Sequence, residues 1–242
     1  MWKNISAEKS ESYIERHFGI KGKDTPETSK KPAITIAREE GAGGLAVASE
    51  LAGYLKTHVS SHDEWTVFSQ HLVAQVLEEH HLDKRAAGFM KEGHKNIVTD
   101  AIGELLGLHP SDWTFVQRAN ATILRLAQTG NVILVGRGGN IVTSKLKNVF
   151  HVYLVRSLEK RIEEAQKVLN LEQKAAVSYI KKKDEARRRY VKDNFDKDIN
   201  DPLLYHIIIN TDLFQYDEAA QLIGNEVIRR FKLDSPAKAT RS

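Results

Sequence analysis

Residues 33–55 read AITIAREEGAGGLAVASELAGYL. The first five, Ala33 to Ala37, form a short apolar run rich in β-branched residues, the signature of a buried strand. Gly41, Gly43 and Gly44 follow and mark a tight turn. From Leu45 onward the apolar residues Leu45, Ala48, Leu51, Ala52 and Leu55 recur at helical spacing. A strand, a glycine turn and a helix aim backbone N–H groups at one point, and the helix start adds partial positive charge there. A phosphate suits such a place.

A phosphate-binding loop of the G-x-x-x-x-G-K-[ST] kind places a lysine on the outer phosphates and a hydroxyl on magnesium. Here Gly44 stands in the lysine slot and Leu45 in the hydroxyl slot. The stretch therefore reads either as a variant phosphate cradle or as an ordinary strand-to-helix turn.

Four more strand candidates lie downstream: Trp65 to Phe68, Asn131 to Val135, Val149 to Leu154 and Tyr205 to Ile209. Helical patterns separate them, over Gln70 to Glu79, Val116 to Gln128, Leu158 to Leu169, Lys174 to Lys192 and Tyr216 to Phe231. Residues 84–130 read as helices broken near Gly93, Gly107 and Pro110. Short apolar strands alternating with helices imply a five-stranded parallel sheet covered on both faces, a three-layer α/β fold. In such sheets ligands sit beyond the carboxyl ends of the strands. The loops at 38–44, 136–140 and 210–213 all lie there.

Upstream, residues 1–32 read as an extension. Ser6 caps a short helix running to about Phe18, with Tyr13, Ile14 and Phe18 on one face. Residues 19–32 (GIKGKDTPETSKKP) form a polar linker. The extension is either a docking helix or a regulatory tail. The main domain spans residues 33–232, and 233–242 is a tail.

With 242 residues, 41% hydrophobic and 28% charged, the chain has the bulk for one ordinary core. It has no cysteine, which fits a reducing cytoplasm, the expected location. No run approaches the roughly 20 apolar residues of a membrane span. A formal charge of +4 suits anionic ligands without demanding nucleic acid. His58 and His62 have i,i+4 spacing, but the region reads as loop without an acidic partner, so no metal site is expected.

Arg38 and Arg137 each follow a strand end. A guanidinium is a fixed fork of donors that matches phosphate, and glycines flank Arg137. The alternative for Arg38 is an ion pair with Glu39 or Glu40. Residues 181–189 read KKKDEARRR, six of nine basic. That is either a solvated helix face, with Asp184 and Arg187 paired within the helix, or an arm carrying arginines over transferring phosphates. No interleaved aromatic platform supports nucleic-acid binding by this segment.

Five pieces resemble the cytidylate kinase-like family, a branch of the P-loop nucleoside monophosphate kinases: residues 34–44 (ITIAREEGAGG), 126–140 (LAQTGNVILVGRGGN), 149–163 (VFHVYLVRSLEKRIE), 184–195 (DEARRRYVKDNF) and 198–212 (DINDPLLYHIIINTD). The resemblance implies a P-loop kinase-like fold with a helical lid. It implies ATP-dependent phosphorylation of a nucleoside monophosphate, CMP or dCMP, with Mg2+ and nucleotide partners. It places Gly41, Ala42, Gly43, Gly44 and Leu45 around the donor phosphates and Arg137 on the acceptor phosphate. Asp184, Arg187 and Arg188 fall in the lid, the arginines on the transferring group, and Asn210 and Thr211 near the donor base. Arg38 offers a replacement charge for the missing lysine, from a different position on the chain. Gly138 follows Arg137 where relatives often have an acidic residue, and Ser69 ends the second strand where they commonly have aspartate. Those departures keep open a second possibility, a nucleotide-binding sensor or scaffold without turnover.

Overall fold

Strand β1 (Ala33–Arg38) lies in the middle of a five-stranded sheet with β2 (Thr66–Ser69), β3 (Val132–Val135), β4 (Val149–Val155) and β5 (Ile207–Asn210). The order is β2-β3-β1-β4-β5, and every neighbouring pair is parallel. The computed structural model describes residues 31–59, 64–69 and 113–233, together with Tyr13. The helices so described are α1 (Gly44–His58), α2 (Trp113–Thr129), α3 (Gly139–Val142), α4 (Leu158–Leu169), α5 (Gln173–Phe195) and α6 (Tyr216–Phe231).

The strands read as unbroken apolar runs because both sheet faces are covered. Alternate residues go opposite ways. Ile34, Ile36, Ile133, Val135, Phe150, Val152 and Leu154 pack with Val47, Leu51 and Leu55 of α1 and Ile223 and Val227 of α6. Ala33, Val132, Leu134 and Val149 instead pack with Leu126 and Ala127 of α2. Each large side chain so buried contributes roughly 1.5–3 kcal/mol. The result is the three-layer α/β fold expected. On the α1 side the helices approach closely at Gly224, where a Cβ would come within 2.4 Å of the Tyr54 ring.

Tyr13 belongs to the α2-side core. Only 2% of it is exposed, its hydroxyl donates to the Gly130 carbonyl at 2.5 Å, and its ring meets Phe68 edge-on at 5.6 Å. At this residue the extension docks on the domain. The remainder of the expected Ser6–Phe18 helix, the linker as far as residue 30, residues 70–112 with their expected helices, His62 and the tail beyond 233 lie outside the described residues.

Helices α4 and α5 form a hairpin turned at Asn170, which adopts the left-handed φ of 52°. Ala165, Ala176 and Ile180 form its small core. Further along α5, Tyr190 and Val191 pack with Val116 of α2 and Ile199.

The boundaries differ from expectation in a few places. The last strand runs over Ile207–Asn210, two residues later at its start and one later at its end than predicted. Tyr205 is engaged elsewhere: its ring stacks on Tyr153 at 4.8 Å and its hydroxyl donates to Ile199 O at 2.7 Å. Leu45 is 51% exposed, because the first turn of α1 projects past the strand end, and Val47 takes its place in the core. Leu222 also lies at the surface. His58 ends α1, stacked on Tyr54, and not in a loop.

Candidate functional site

The loop between β1 and α1 is shaped by what presses on its glycines. Gly41 (φ 81°) and Gly43 (φ 80°) are left-handed, a conformation costly for any residue with a Cβ. A Cβ on Gly43 would lie 2.2 Å from the Tyr216 ring, and one on Gly41 3.1 Å from Arg161 Cβ. Gly43 caps α1 without a side chain. The start of α1 therefore has no side-chain cap for its first-turn N–H groups, as an anion site at a helix start requires. Thr211 closes the loop from below, its hydroxyl donating to Ala42 O at 3.2 Å and to Val155 O at 3.3 Å.

Arg38 leaves the end of β1 and runs along Gly44. A Cβ on Gly44 would sit 3.0 Å from Arg38 Cγ and 3.2 Å from its Cδ. The Arg38 Nη1 nitrogen is buried and finds no hydrogen-bond acceptor among the described residues. Burial first, then the Arg187 charge, pull its pKa down to about 9, with Glu40 opposing and Arg137 adding to the depression. An arginine keeps its proton at any working pH. The lowered value therefore reflects burial first and the neighbouring arginine charges after it. The expected alternative, a pair between Arg38 and Glu39 or Glu40, does not form: Glu40 is bonded to Arg187 and Glu39 lies beside Arg161.

Arg137 follows β3 and is 5% exposed. Its guanidinium lies over the Tyr190 ring at 4.7 Å, and burial is the main cause that lowers its pKa to about 10. Gly138 (φ 72°) is next, and a Cβ there would meet the Phe195 ring at 2.5 Å. The end of α5 thus leaves no room for a side chain at Gly138.

From α5 come Asp184 and Arg187. They pair within the helix at 3.4 Å, as the spacing predicts. Arg187 also bonds Glu40, and Asp184 accepts from the Glu40 N–H at 2.9 Å, so a carboxylate sits on the loop's own backbone. Arg161 of α4 bonds Asp184, and Tyr179 donates to Glu40 at 3.3 Å. On the far side Arg156 donates to Gly41 O at 3.2 Å and to the Tyr216 hydroxyl at 3.1 Å, beside Asp212 at 3.5 Å.

The fold therefore gathers Arg38, Arg137, Asp184 and Arg187 next to Gly41, Ala42, Gly43 and Gly44. Arg188 lies apart: its side chain is 51% exposed and pairs with Glu185 at 2.8 Å. Asn210 is exposed, its side chain accepting from the Asp212 N–H at 2.9 Å. Glu40, Arg156, Arg161 and Tyr190 were not among the residues expected here. Arg156 had a usable signal, since it follows β4 as Arg38 and Arg137 follow their strands.

The profile of the cytidylate kinase-like family matches residues 33–213. The chain belongs to the cytidylate kinase-like family. That membership supports a nucleotide kinase. Among curated proteins no sequence match was found. A solved protein from Eubacterium ventriosum shares the fold, with a TM-score of 0.58 at 18% identity over 81% of this chain and 98% of the other. Shikimate kinase from Acinetobacter baumannii aligns with a TM-score of 0.45 at 18% identity over 84% of this chain and 96% of its own. The Bacteroides thetaiotaomicron shikimate kinase gives 0.48 at 14% identity over 80% and 96%.

Magnesium, implied for this family, finds no built set of protein ligands. The hydroxyl slot holds Leu45, Ser69 ends β2, and Glu39, Glu40 and Asp184 are each held by arginine. No group of three metal-ligating side chains occurs among the described residues. Nor is any described helix long and apolar enough to cross a membrane.

Proposed function

We propose that this member of the cytidylate kinase-like family is a nucleoside monophosphate kinase. It transfers the γ-phosphoryl group of ATP to CMP, dCMP or a related acceptor. One observation carries this reading: Arg38, Arg137 and Arg187 gather by a glycine loop at the carboxyl ends of β1 and β3, with Arg38 Nη1 buried and without an acceptor among the described residues. Phosphorylated ligands would supply one.

In the reaction an oxygen of the acceptor phosphate forms a bond to the γ-phosphorus. The bond from that phosphorus to the β-bridging oxygen breaks, and ADP leaves. The protein forms no covalent bond, so catalysis is positioning plus charge stabilisation. The N–H groups of the Gly41–Leu45 loop hold the donor phosphates. Arg137, oriented by the Tyr190 ring, holds the acceptor phosphate. Arg187 exchanges Glu40 for the transferring group. Asn210 and Thr211 are assigned to the donor base, supported by the Thr211 hydroxyl's bond to the Ala42 carbonyl of the loop. With α4 and α5 over the loop, water is kept from the γ-phosphorus.

A coupled assay of ADP release across CMP, dCMP, UMP and AMP tests the reading. Turnover with a cytidine acceptor at least tenfold above the others is expected, and none with any acceptor overturns it. Gly44, Leu45 and Ser69 favour a second reading, a nucleotide-binding sensor or scaffold that lacks turnover. Calorimetric binding of ATP and CMP without ADP release would select it.

A further inference from the structure

We infer that Arg38 supplies, from the end of β1, the cation that a phosphate-binding loop ordinarily carries at the position of Gly44. The two residues are spatial complements. The Arg38 stem lies where a side chain on Gly44 would have to begin, with Cγ, Cδ and Nε at 3.0, 3.2 and 3.4 Å from a Cβ built there. Gly44 is not left-handed, so its backbone would accept other residues, but the neighbouring stem would have to give by a few tenths of an ångström to admit even a Cβ. The absence of a lysine is therefore a relocation of charge by six positions in the chain, with little displacement in space.

Part of the guanidinium that arrives by this route is open to a guest. Arg38 Nη1 is buried without an acceptor among the described residues, while the nearby carboxylates Glu39 and Glu40 pair with Arg161 and Arg187. The guest that fits is a polyphosphate lying along the loop, the donor half of the proposed kinase site. The inference rests on that reading only in taking the guest to be polyphosphate.

Inorganic tripolyphosphate, titrated calorimetrically into the full chain, tests it. Arg38→Met keeps most of the stem volume and removes the charge. It should weaken binding at least tenfold, the worth of a charge-assisted hydrogen bond. Gly44→Ala, which drives a methyl into the stem, should weaken it as well. Arg38→Ala combined with Gly44→Lys should recover affinity to within about threefold of wild type, because the lysine then grows into the vacated space. Wild-type affinity in Arg38→Met overturns the inference, as does a double variant no tighter than Arg38→Ala alone. Either result leaves the kinase reading intact, since that is measured separately by wild-type ADP release. Failure of the wild type to bind tripolyphosphate or ATP overturns both.

Discussion

Arg156 and Arg161 on one side of the glycine loop, and Arg38 and Arg137 on the other, are sheltered arginines with different surroundings. Arg161 meets Asp184 and Glu39, and Arg156 meets Asp212 and Glu164. These pairs tie α4 to the loop, and their charges are answered within the protein. Arg38 and Arg137 come from the sheet itself, and their pKa values sit at about 9 and about 10 because burial outweighs the charge around them. Arginines tied to carboxylates hold the scaffold together, and the proposed function sets Arg38 and Arg137 against phosphate instead.

The first pair of substitutions separates those roles. Arg137→Ala should lower kcat/KM by about three orders of magnitude, as loss of a group on a charged phosphate does. Its thermal midpoint should stay close to wild type. Arg161→Ala should do the converse. It removes one of the two arginines on Asp184 and leaves Glu39 with the Arg156 N–H, a loss of about 1–3 kcal/mol. For a chain of this size that is a fall of roughly 5 °C in Tm by calorimetry. Equal destabilisation by both substitutions would erase the distinction.

A third kind of sheltered basic residue sharpens it. His151 lies 2.9 Å from the Thr35 hydroxyl and faces His206 and Arg230. Burial, then His206 and Arg230, depress its pKa from 6.5 to about 4, so it answers burial by shedding its proton. In the unfolded chain it still titrates near 6.5. Between those values the unfolded state binds more protons, so stability is full above pH 6.5 and is lost as pH falls toward 4. The loss is on the order of 3 kcal/mol. Denaturant titrations at pH 7 and pH 4.5, compared with His151→Gln, should show a flatter profile for the variant.

The smallest effect belongs to Arg188. Its exposed pair with Glu185 is screened by solvent, and Arg188→Ala should keep Tm within about 2 °C and kcat within about twofold. A hundredfold loss of rate would mean that the outer face of α5 turns inward during turnover.

What could be read in advance follows from locality. Ala33 to Ala37 and Asn131 to Val135 announced themselves because strands buried on both faces become continuous apolar runs. Tyr216 and Phe231 bound α6 where predicted, and Gln215 with Glu218 forms a capping box at its start. Tyr205 and His206 mimic strand residues, yet their rings are taken up by Tyr153 and Phe150. Arg38 and Arg137 were visible because strand ends are where ligands gather. Glu40 and Arg161 were not, since their partners lie 147 and 23 residues away and nothing local announces the pairing. The basic run at 181–189 shows the same limit: helical rotation turns Arg187 inward and leaves Arg188 and Arg189 outside.

Helix α5 carries Arg187 against the glycine loop and, about 12 Å further along, Phe195 against Gly138 beside Arg137. A single rod reaches both the glycine loop and the turn that carries Arg137. It cannot tilt at one end without levering the other. In the proposed kinase, donor and acceptor would bear on the same rigid part, and their affinities would be thermodynamically linked, each changing the other's dissociation constant by an equal factor.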